Sequence, residues 1–240
     1  MEGNPLDTIT IELDSVQVTG RVASGFEPVA RAFATNFLDH GEIGAACSLY
    51  HRGAPVVDIW GGYAAPGTKR AWEEDTITLV FSAAKGPTAT CIHQLVEAHR
   101  LDLDLPVAHY WPEFGCNGKE HITTRMVLSH QAGLAAVDGI LSLEQVLAWD
   151  PVIEAIAAQA PNWVPGSQHG YHARSFGWIL GELIRRISGQ SAGTFLQDHI
   201  CSPLGLRYWV GLPGDQLGNC ATLVPPAGGS DAIAELLGAD

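Results

Sequence analysis

The chain has 240 residues, of which 46% are hydrophobic and 16% are charged, a balance that is typical of a folded globular protein. Its net charge of −13, without any run of lysine or arginine, argues against binding to nucleic acid or to an anionic membrane surface. Residues 1–5 do not resemble the start of a signal peptide, and no apolar segment reaches the length of a membrane span. Five scattered cysteines without a CxxC pair are expected to be free thiols. The sequence therefore predicts a cytoplasmic protein without nucleic-acid or membrane partners.

The first third of the chain carries most of the strand signal. Its predicted elements are a hairpin or bulged strand over 8–19, a helix over 25–39, strands over 43–51 and 55–62, and a third apolar run over 77–81. The phase of the alternation slips at Asp14-Ser15, which leaves a tight hairpin and a bulge as alternatives. Ser24 followed by Glu27 suggests a capping box at the start of the helix.

After residue 82 the periodicity is mainly helical. Helices are predicted over 88–99, 124–129, 143–149, 152–158, 175–187 and 192–199. The tail is rich in glycine and proline, with a flexible connector over 224–230 and a weak helical segment over 231–237. The sequence thus predicts an α+β fold in three parts, 1–81, 82–212 and 213–240, whose sheet lacks its C-terminal strands, since a few early strands alone make a poor sheet.

Ser82 and Lys85 are the first candidates for chemistry. On a helix, side chains three positions apart share one face, so the hydroxyl and the amine can approach each other. Pro87 is tolerated only in a first helical turn, which places Ser82 at or just before a helix N-terminus. Backbone N–H groups there can stabilise an oxyanion. Because serine is also a good N-cap residue, these two residues alone leave a purely structural role open.

Further segments widen the pattern. They are PGSQHGYHA at 165–173, LSHQAGL at 128–134, SPLGL at 202–206, LDLDLPV at 101–107 and YWPEF at 110–114. Together with the Ser82-x-x-Lys85 motif, they resemble the serine β-lactamase and penicillin-binding superfamily over residues 20–215. The likeness is closest to the class C β-lactamase-like esterases, or family VIII carboxylesterases. This resemblance implies a β-lactamase/transpeptidase-like fold.

The resemblance also implies roles for three catalytic residues. Ser82 is the residue that becomes acylated, Lys85 hydrogen-bonds it, and Tyr171 is the second proton carrier. A phenol with a pKa near 10 can act as a base only if a neighbouring cation stabilises its phenolate. No metal or organic cofactor is implied. His169 and His172 flank Tyr171, but no third ligand is evident, so zinc is not expected.

The substrate is expected to be a small acyl ester. The residues predicted to contact it are Trp163, His172 and Ala173. In β-lactamases the tyrosine motif is Tyr-x-Asn, and the alanine in its third position cannot donate the amide hydrogen bond that a β-lactam would use. This departure favours ester hydrolysis over lactam hydrolysis.

A second departure keeps two alternatives open. Family members carry a Lys-Thr-Gly or His-x-Gly strand that supplies the second oxyanion donor, and nothing after Leu212 matches it. A truncated, non-catalytic member of the superfamily is therefore one alternative, and a β-lactamase or D,D-peptidase is the other. The oligomeric state is left open.

Overall fold

The computed structural model describes residues 6–13 and 16–224, which fall into two compact units. One unit combines residues up to Leu79 with those from Gly214 onward, and the other comprises Val80–Pro213. The predicted turn at Asp14-Ser15, the connector beyond residue 224 and the segment over 231–237 lie outside the described residues.

The first unit is built on an antiparallel sheet. Its strands are β1 (Leu6–Glu12), β2 (Gln17–Ala23), β3 (Gly44–His51), β4 (Ala54–Ala65) and β5 (Arg70–Ala71). They are ordered β1-β2-β4-β3, and β5 pairs with β4. Glu12 pairs with Gln17, so the alternating segment forms a hairpin and not a single bulged strand. The strands predicted over 43–51 and 55–62 are confirmed.

Helix α1 (Glu27–Asp39) confirms the helix predicted over 25–39. Its buried face meets apolar residues of the sheet, and the shared core includes Val18, Val22, Ala30, Phe33, Ala34, Val57 and Ile59. The predicted capping box is wrong, because the N-cap residue is Phe26 and makes no side-chain cap. The Glu27 carboxylate instead accepts a hydrogen bond from the backbone N–H of Gly25, at 3.0 Å.

The second unit is helical. Its helices are α2 (Lys85–Glu97), α3 (Val107–Tyr110), α4 (Thr124–Leu128), α5 (Leu143–Leu147), α6 (Asp150–Ala158), α7 (Ser175–Ser188), α8 (Ala192–Leu196) and α9 (Ser202–Leu204). All six predicted helices are present, with ends displaced by less than one turn. Helix α8 continues into a single π-helical turn, Gln197–Cys201. The predicted α+β class is confirmed by these helices and the sheet of the first unit.

Helix α7 is the central element of the second unit. It packs against α2, and its buried apolar residues are Phe176, Ile179, Leu180, Leu183 and Ile184. Glu182 is buried on the same helix, where its carboxylate accepts hydrogen bonds from Arg185 at 2.7 Å, Arg186 at 2.6 Å and the Trp149 indole at 3.0 Å. Burial raises the pKa of Glu182, but the bonds from Arg185, Trp149 and Arg186 outweigh burial and hold it below its usual value.

Two general expectations can be compared with the described residues. All five cysteines are free thiols, and Cys91 and Cys201 are buried. Within the described ranges, every helix is too short or too polar to cross a membrane.

Candidate active site

Ser82 lies in a strained turn at the start of α2. The residues Phe81–Ala84 form a 3₁₀ turn that leads directly into the helix, with Ser82 exposed on it. Phe81 has φ of 45°, a left-handed conformation that costs a bulky L-residue roughly 1–2 kcal/mol. Strain of this kind is retained where the surrounding structure holds a functional group in a fixed position. The turn presents the Ser82 hydroxyl beside the N-terminus of α2, as Pro87 predicted.

Lys85 connects this turn to the loop that precedes α7. Its Nζ donates to Ser82 Oγ at 3.3 Å and to the backbone carbonyl of Ala173 at 2.8 Å. The same nitrogen lies over the Tyr171 ring, 4.6 Å from its centroid, and 5.6 Å from the centroid of Phe176. The ammonium group is therefore positioned from two segments of chain that are far apart in sequence.

Tyr171 completes a group of three reactive side chains. It is 55% exposed, so a molecule from solvent can reach its hydroxyl. The pKa of the Tyr171 phenol lies below its usual value, because its hydroxyl interacts first with Lys85 and second with Ser82. The three residues predicted to be catalytic are thus brought together by the structure.

The three residues predicted to contact substrate occupy different environments. Ala173 is exposed, with its carbonyl bound to Lys85. Trp163 is partly buried, packs against Gly170 and meets the His172 ring edge-on, with 6.0 Å between ring centroids. Its indole nitrogen is buried without a hydrogen-bond partner among the described residues.

His172 is fully buried, although the sequence placed it among the substrate-binding residues. Its Nε2 accepts from the Leu134 N–H at 3.0 Å, so its Nδ1 carries the proton and donates to the Gly170 carbonyl at 2.6 Å. Burial lowers the pKa of His172, which keeps the ring neutral. Both ring nitrogens are occupied by backbone groups, so the imidazole supports the loop and offers no free nitrogen to a substrate.

His130 is a site residue to which the sequence analysis gave no role. Its Nδ1 accepts from the backbone N–H of His172 at 3.1 Å, and its carbonyl accepts from the N–H of Gly170 at 3.1 Å. Its ring lies 5.0 Å from that of Tyr171, between centroids. The available signal was its occurrence in the segment LSHQAGL, which carried the resemblance but identified no partner.

The reactive groups in this site are a hydroxyl, an amine and a phenol. Within the described part of the chain, no three His, Cys, Asp or Glu side chains are grouped so as to hold a metal ion. An exposed serine beside an amine and a phenol of lowered pKa is an arrangement suited to covalent catalysis by an activated hydroxyl.

Comparison with known proteins identifies the family. A protein-family model described as Beta-lactamase matches residues 29–234, a range that includes Ser82, Lys85 and Tyr171. The chain belongs to the β-lactamase family. The predicted resemblance and the predicted β-lactamase/transpeptidase-like fold are therefore confirmed.

Similar proteins show how much of the chain and of the fold is shared. Esterase/beta-lactamase LipL of Mycobacterium tuberculosis is 36% identical over 223 residues, which is 92% of this chain and 48% of that protein. A penicillin-binding protein homologue from Caulobacter crescentus is 39% identical with a TM-score of 0.83, over 87% of this chain and 56% of its own. A family VIII carboxylesterase is 38% identical with a TM-score of 0.82, over 87% and 57% of the two chains. The chain spans about half the length of these relatives.

Proposed function

We propose that this chain carries the acyl-transfer site of a serine hydrolase that cleaves small acyl esters through an acyl-enzyme on Ser82. The observation that supports this most directly is the placement of Lys85 Nζ, which is 3.3 Å from Ser82 Oγ and lies over the Tyr171 ring. These contacts connect a nucleophile to two groups that can carry its proton.

Acylation begins when Ser82 Oγ attacks the ester carbonyl carbon. The Tyr171 phenolate, stabilised by Lys85, takes the Ser82 proton as the new C–O bond forms. The carbonyl electron pair moves onto oxygen, where the backbone N–H of Ser82 at the N-terminus of α2 stabilises the charge. Collapse of this intermediate breaks the bond to the alcohol, which leaves with the proton from Tyr171.

Deacylation reverses the roles of the same groups. Water loses a proton to the Tyr171 phenolate and adds to the acyl carbon, and the departing Ser82 oxygen recovers that proton. The products are the free acid and the regenerated hydroxyl. The cycle uses the side chains of this site and no cofactor.

Ala173 favours an ester over a β-lactam as substrate. Its exposed methyl group cannot donate a hydrogen bond, and its carbonyl is already bound to Lys85. A lactam amide placed beside it would lack this side-chain hydrogen bond, which is worth about 0.5–1.5 kcal/mol. The names of two relatives, an esterase/beta-lactamase and a family VIII carboxylesterase, are consistent with ester hydrolysis. The predicted contact of Trp163 with the substrate is part of this proposal.

The test combines labelling with turnover. The purified full chain is incubated with a fluorophosphonate probe, the labelled peptide is identified by mass spectrometry, and hydrolysis of p-nitrophenyl acetate and butyrate is measured. We expect a label on Ser82, with both label and turnover lost in Ser82→Ala. Ser202→Ala removes a different exposed serine and serves as the matched control, which should behave as the wild type.

The outcomes separate the alternatives. A chain that melts cooperatively yet shows neither label nor turnover is a non-catalytic member of the family. Nitrocefin hydrolysis at a rate that exceeds ester hydrolysis supports a β-lactamase instead. Turnover unchanged in Ser82→Ala would place the nucleophile elsewhere. A cytoplasmic location remains a prediction from the sequence.

A further inference from the structure

His130 holds the chain on both sides of Tyr171. Its carbonyl accepts the N–H of Gly170 and its Nδ1 accepts the N–H of His172, each at 3.1 Å. Tyr171 lies between these two anchored residues, and its ring is packed against the imidazole. One residue therefore fixes the backbone from which the phenol projects.

The backbone of His130 is itself specialised for this role. It has φ of 61°, a left-handed conformation that disfavours most non-glycine residues. Asparagine is among the few side chains that tolerate this conformation well, and it also carries a hydrogen-bond acceptor. This property offers a substitution that preserves the anchors and removes the titratable ring.

The hydrogen bond from His172 fixes the protonation state of His130. An Nδ1 that accepts an N–H carries no proton, so a neutral ring carries its proton on Nε2. If Nδ1 were protonated, its N–H would face the N–H of His172, and the hydrogen bond that anchors the chain after Tyr171 would be lost.

The surroundings of His130 also oppose a positive charge. Burial lowers the pKa of its imidazole, and the nearby Lys85 and His169 lower it further. The titratable groups that face the ring are Lys85 on α2 and His169, Tyr171 and His172 on the loop before α7. The same ammonium group that serves Ser82 therefore disfavours a second cation at this position.

We propose that His130 is a positioning residue, whose unprotonated Nδ1 holds Tyr171 against Lys85 and Ser82 and whose protonation disables the site in acid. The inference rests on the proposed function, because it assigns an acid limb to the pH dependence of that same site. Activity should fall as the pH drops below about 6.5, the ordinary pKa of histidine, and the midpoint should lie lower still.

Two variants separate the acceptor from the ring. His130→Asn keeps an acceptor and tolerates the left-handed backbone, so we expect kcat within about threefold of the wild type at pH 8. Below about pH 6.5 its kcat should fall less steeply than that of the wild type, because only protonation of the Tyr171 phenolate then contributes to the fall. His130→Phe keeps an aromatic ring but lacks the acceptor and disfavours the left-handed backbone, so both changes loosen the anchor and we expect kcat to fall about 10- to 100-fold at pH 8 with little change in KM. His93→Asn removes an exposed histidine of α2 and should leave the acid limb unchanged.

A second measurement does not depend on turnover. In ¹⁵N-labelled protein, imidazole NMR spectra should show His130 protonated on Nε2 and unprotonated on Nδ1 at pH 8, and the His172 amide signal should shift as His130 titrates. This measurement also serves if His130→Phe fails to fold.

The results distinguish the two proposals. A wild type that neither labels at Ser82 nor turns over ester contradicts the proposed function, and the NMR titration then decides on His130 alone. An active wild type whose kcat falls below pH 6.5 no more steeply than that of His130→Asn contradicts the positioning role, while the proposed hydrolase activity stands. A proton found on Nδ1 of His130 at pH 8 would overturn the inference in either case.

Discussion

Gly170 packs directly against the indole of Trp163, and a methyl group at this position has no room. A Cβ built on Gly170 lies 3.0 Å from both Cζ2 and Cζ3 of Trp163 and closer still to Cη2. Carbon atoms in contact normally lie about 3.5–4.0 Å apart, so Gly170→Ala requires a displacement on the order of 1 Å. Overpacking of this kind costs about 1–3 kcal/mol.

Neither partner can yield without cost to the site. The loop is held by the Gly170 N–H bond to His130, and the Trp163 indole is partly buried against His172. A shift of the loop moves Tyr171, the next residue, relative to Lys85. Because a misplacement of 1 Å can cost about 10²-fold in rate, we expect Gly170→Ala to lower kcat by roughly that factor.

The assay measures thermal unfolding by circular dichroism together with ester turnover. Gly177→Ala is the control, because its Cβ meets no atom within 4 Å and alanine stabilises a helix by about 0.5–1 kcal/mol relative to glycine. Trp163→Phe removes the atoms that collide, so the double variant should recover stability relative to Gly170→Ala, with a coupling of about 0.5–3 kcal/mol. A Gly170→Ala protein that melts and turns over like the wild type would refute the steric argument, and so would additive effects in the double variant.

Two further substitutions probe the electrostatics of the second unit. Tyr171→Phe should lower kcat about 10²- to 10⁴-fold. It should also abolish the rise of kcat/KM between pH 6 and 10 that a phenol of lowered pKa produces. An unchanged rise would show that a different residue is the base. Glu182→Gln breaks a buried ion pair at a cost of about 3 kcal/mol, or a melting temperature lower by about 6–12 °C at pH 7. Because the pKa of Glu182 is held low in the folded protein, the difference in melting temperature should persist down to about pH 4.5 and shrink below it. A difference that already shrinks above pH 5 would contradict the ion pairing. Glu154→Gln, which removes an exposed carboxylate, is the control.

Local features of the sequence predicted two of the three reactive residues, Ser82 and Lys85. The spacing of Ser82 and Lys85 is a property of one helical turn, and Pro87 fixes where that turn begins, so both could be read without knowledge of the fold. Tyr171 came from the resemblance, because no local pattern joins a tyrosine to a lysine in a distant segment of the chain. The capping box at Ser24 was wrong for a local reason, because the helix begins after Phe26 and the Glu27 carboxylate accepts from the N–H of Gly25.

The residues that hold the loop and the turn in place could not be predicted in this way. His172 follows Tyr171 in sequence, which suggested a substrate contact, but the partners that occupy its ring belong to Leu134 and Gly170. The left-handed conformation of Phe81 could not be predicted either, because a bulky aromatic residue disfavours positive φ and only the surrounding structure maintains that conformation. Burial and backbone conformation decide these roles, and both depend on contacts across the fold.

In this site two of the three reactive side chains are exposed, and the side chains that hold the loop are more buried. Ser82 and Tyr171 are exposed to solvent, as the proposed ester hydrolysis requires, whereas the fully buried His172 uses both ring nitrogens to hold the loop. The loop from Gly170 to Ala173 is neither helix nor strand, so its precision comes from these neutral side-chain anchors and from Lys85, which binds the Ala173 carbonyl. Lys85 therefore belongs to both sets, since the amine that serves the nucleophile also fixes the backbone beside the phenol. Replacing Lys85 removes a proton carrier and also loosens the loop. We therefore expect kcat to fall further in a Lys85 variant than in Tyr171→Phe, in which the backbone anchors of the loop remain.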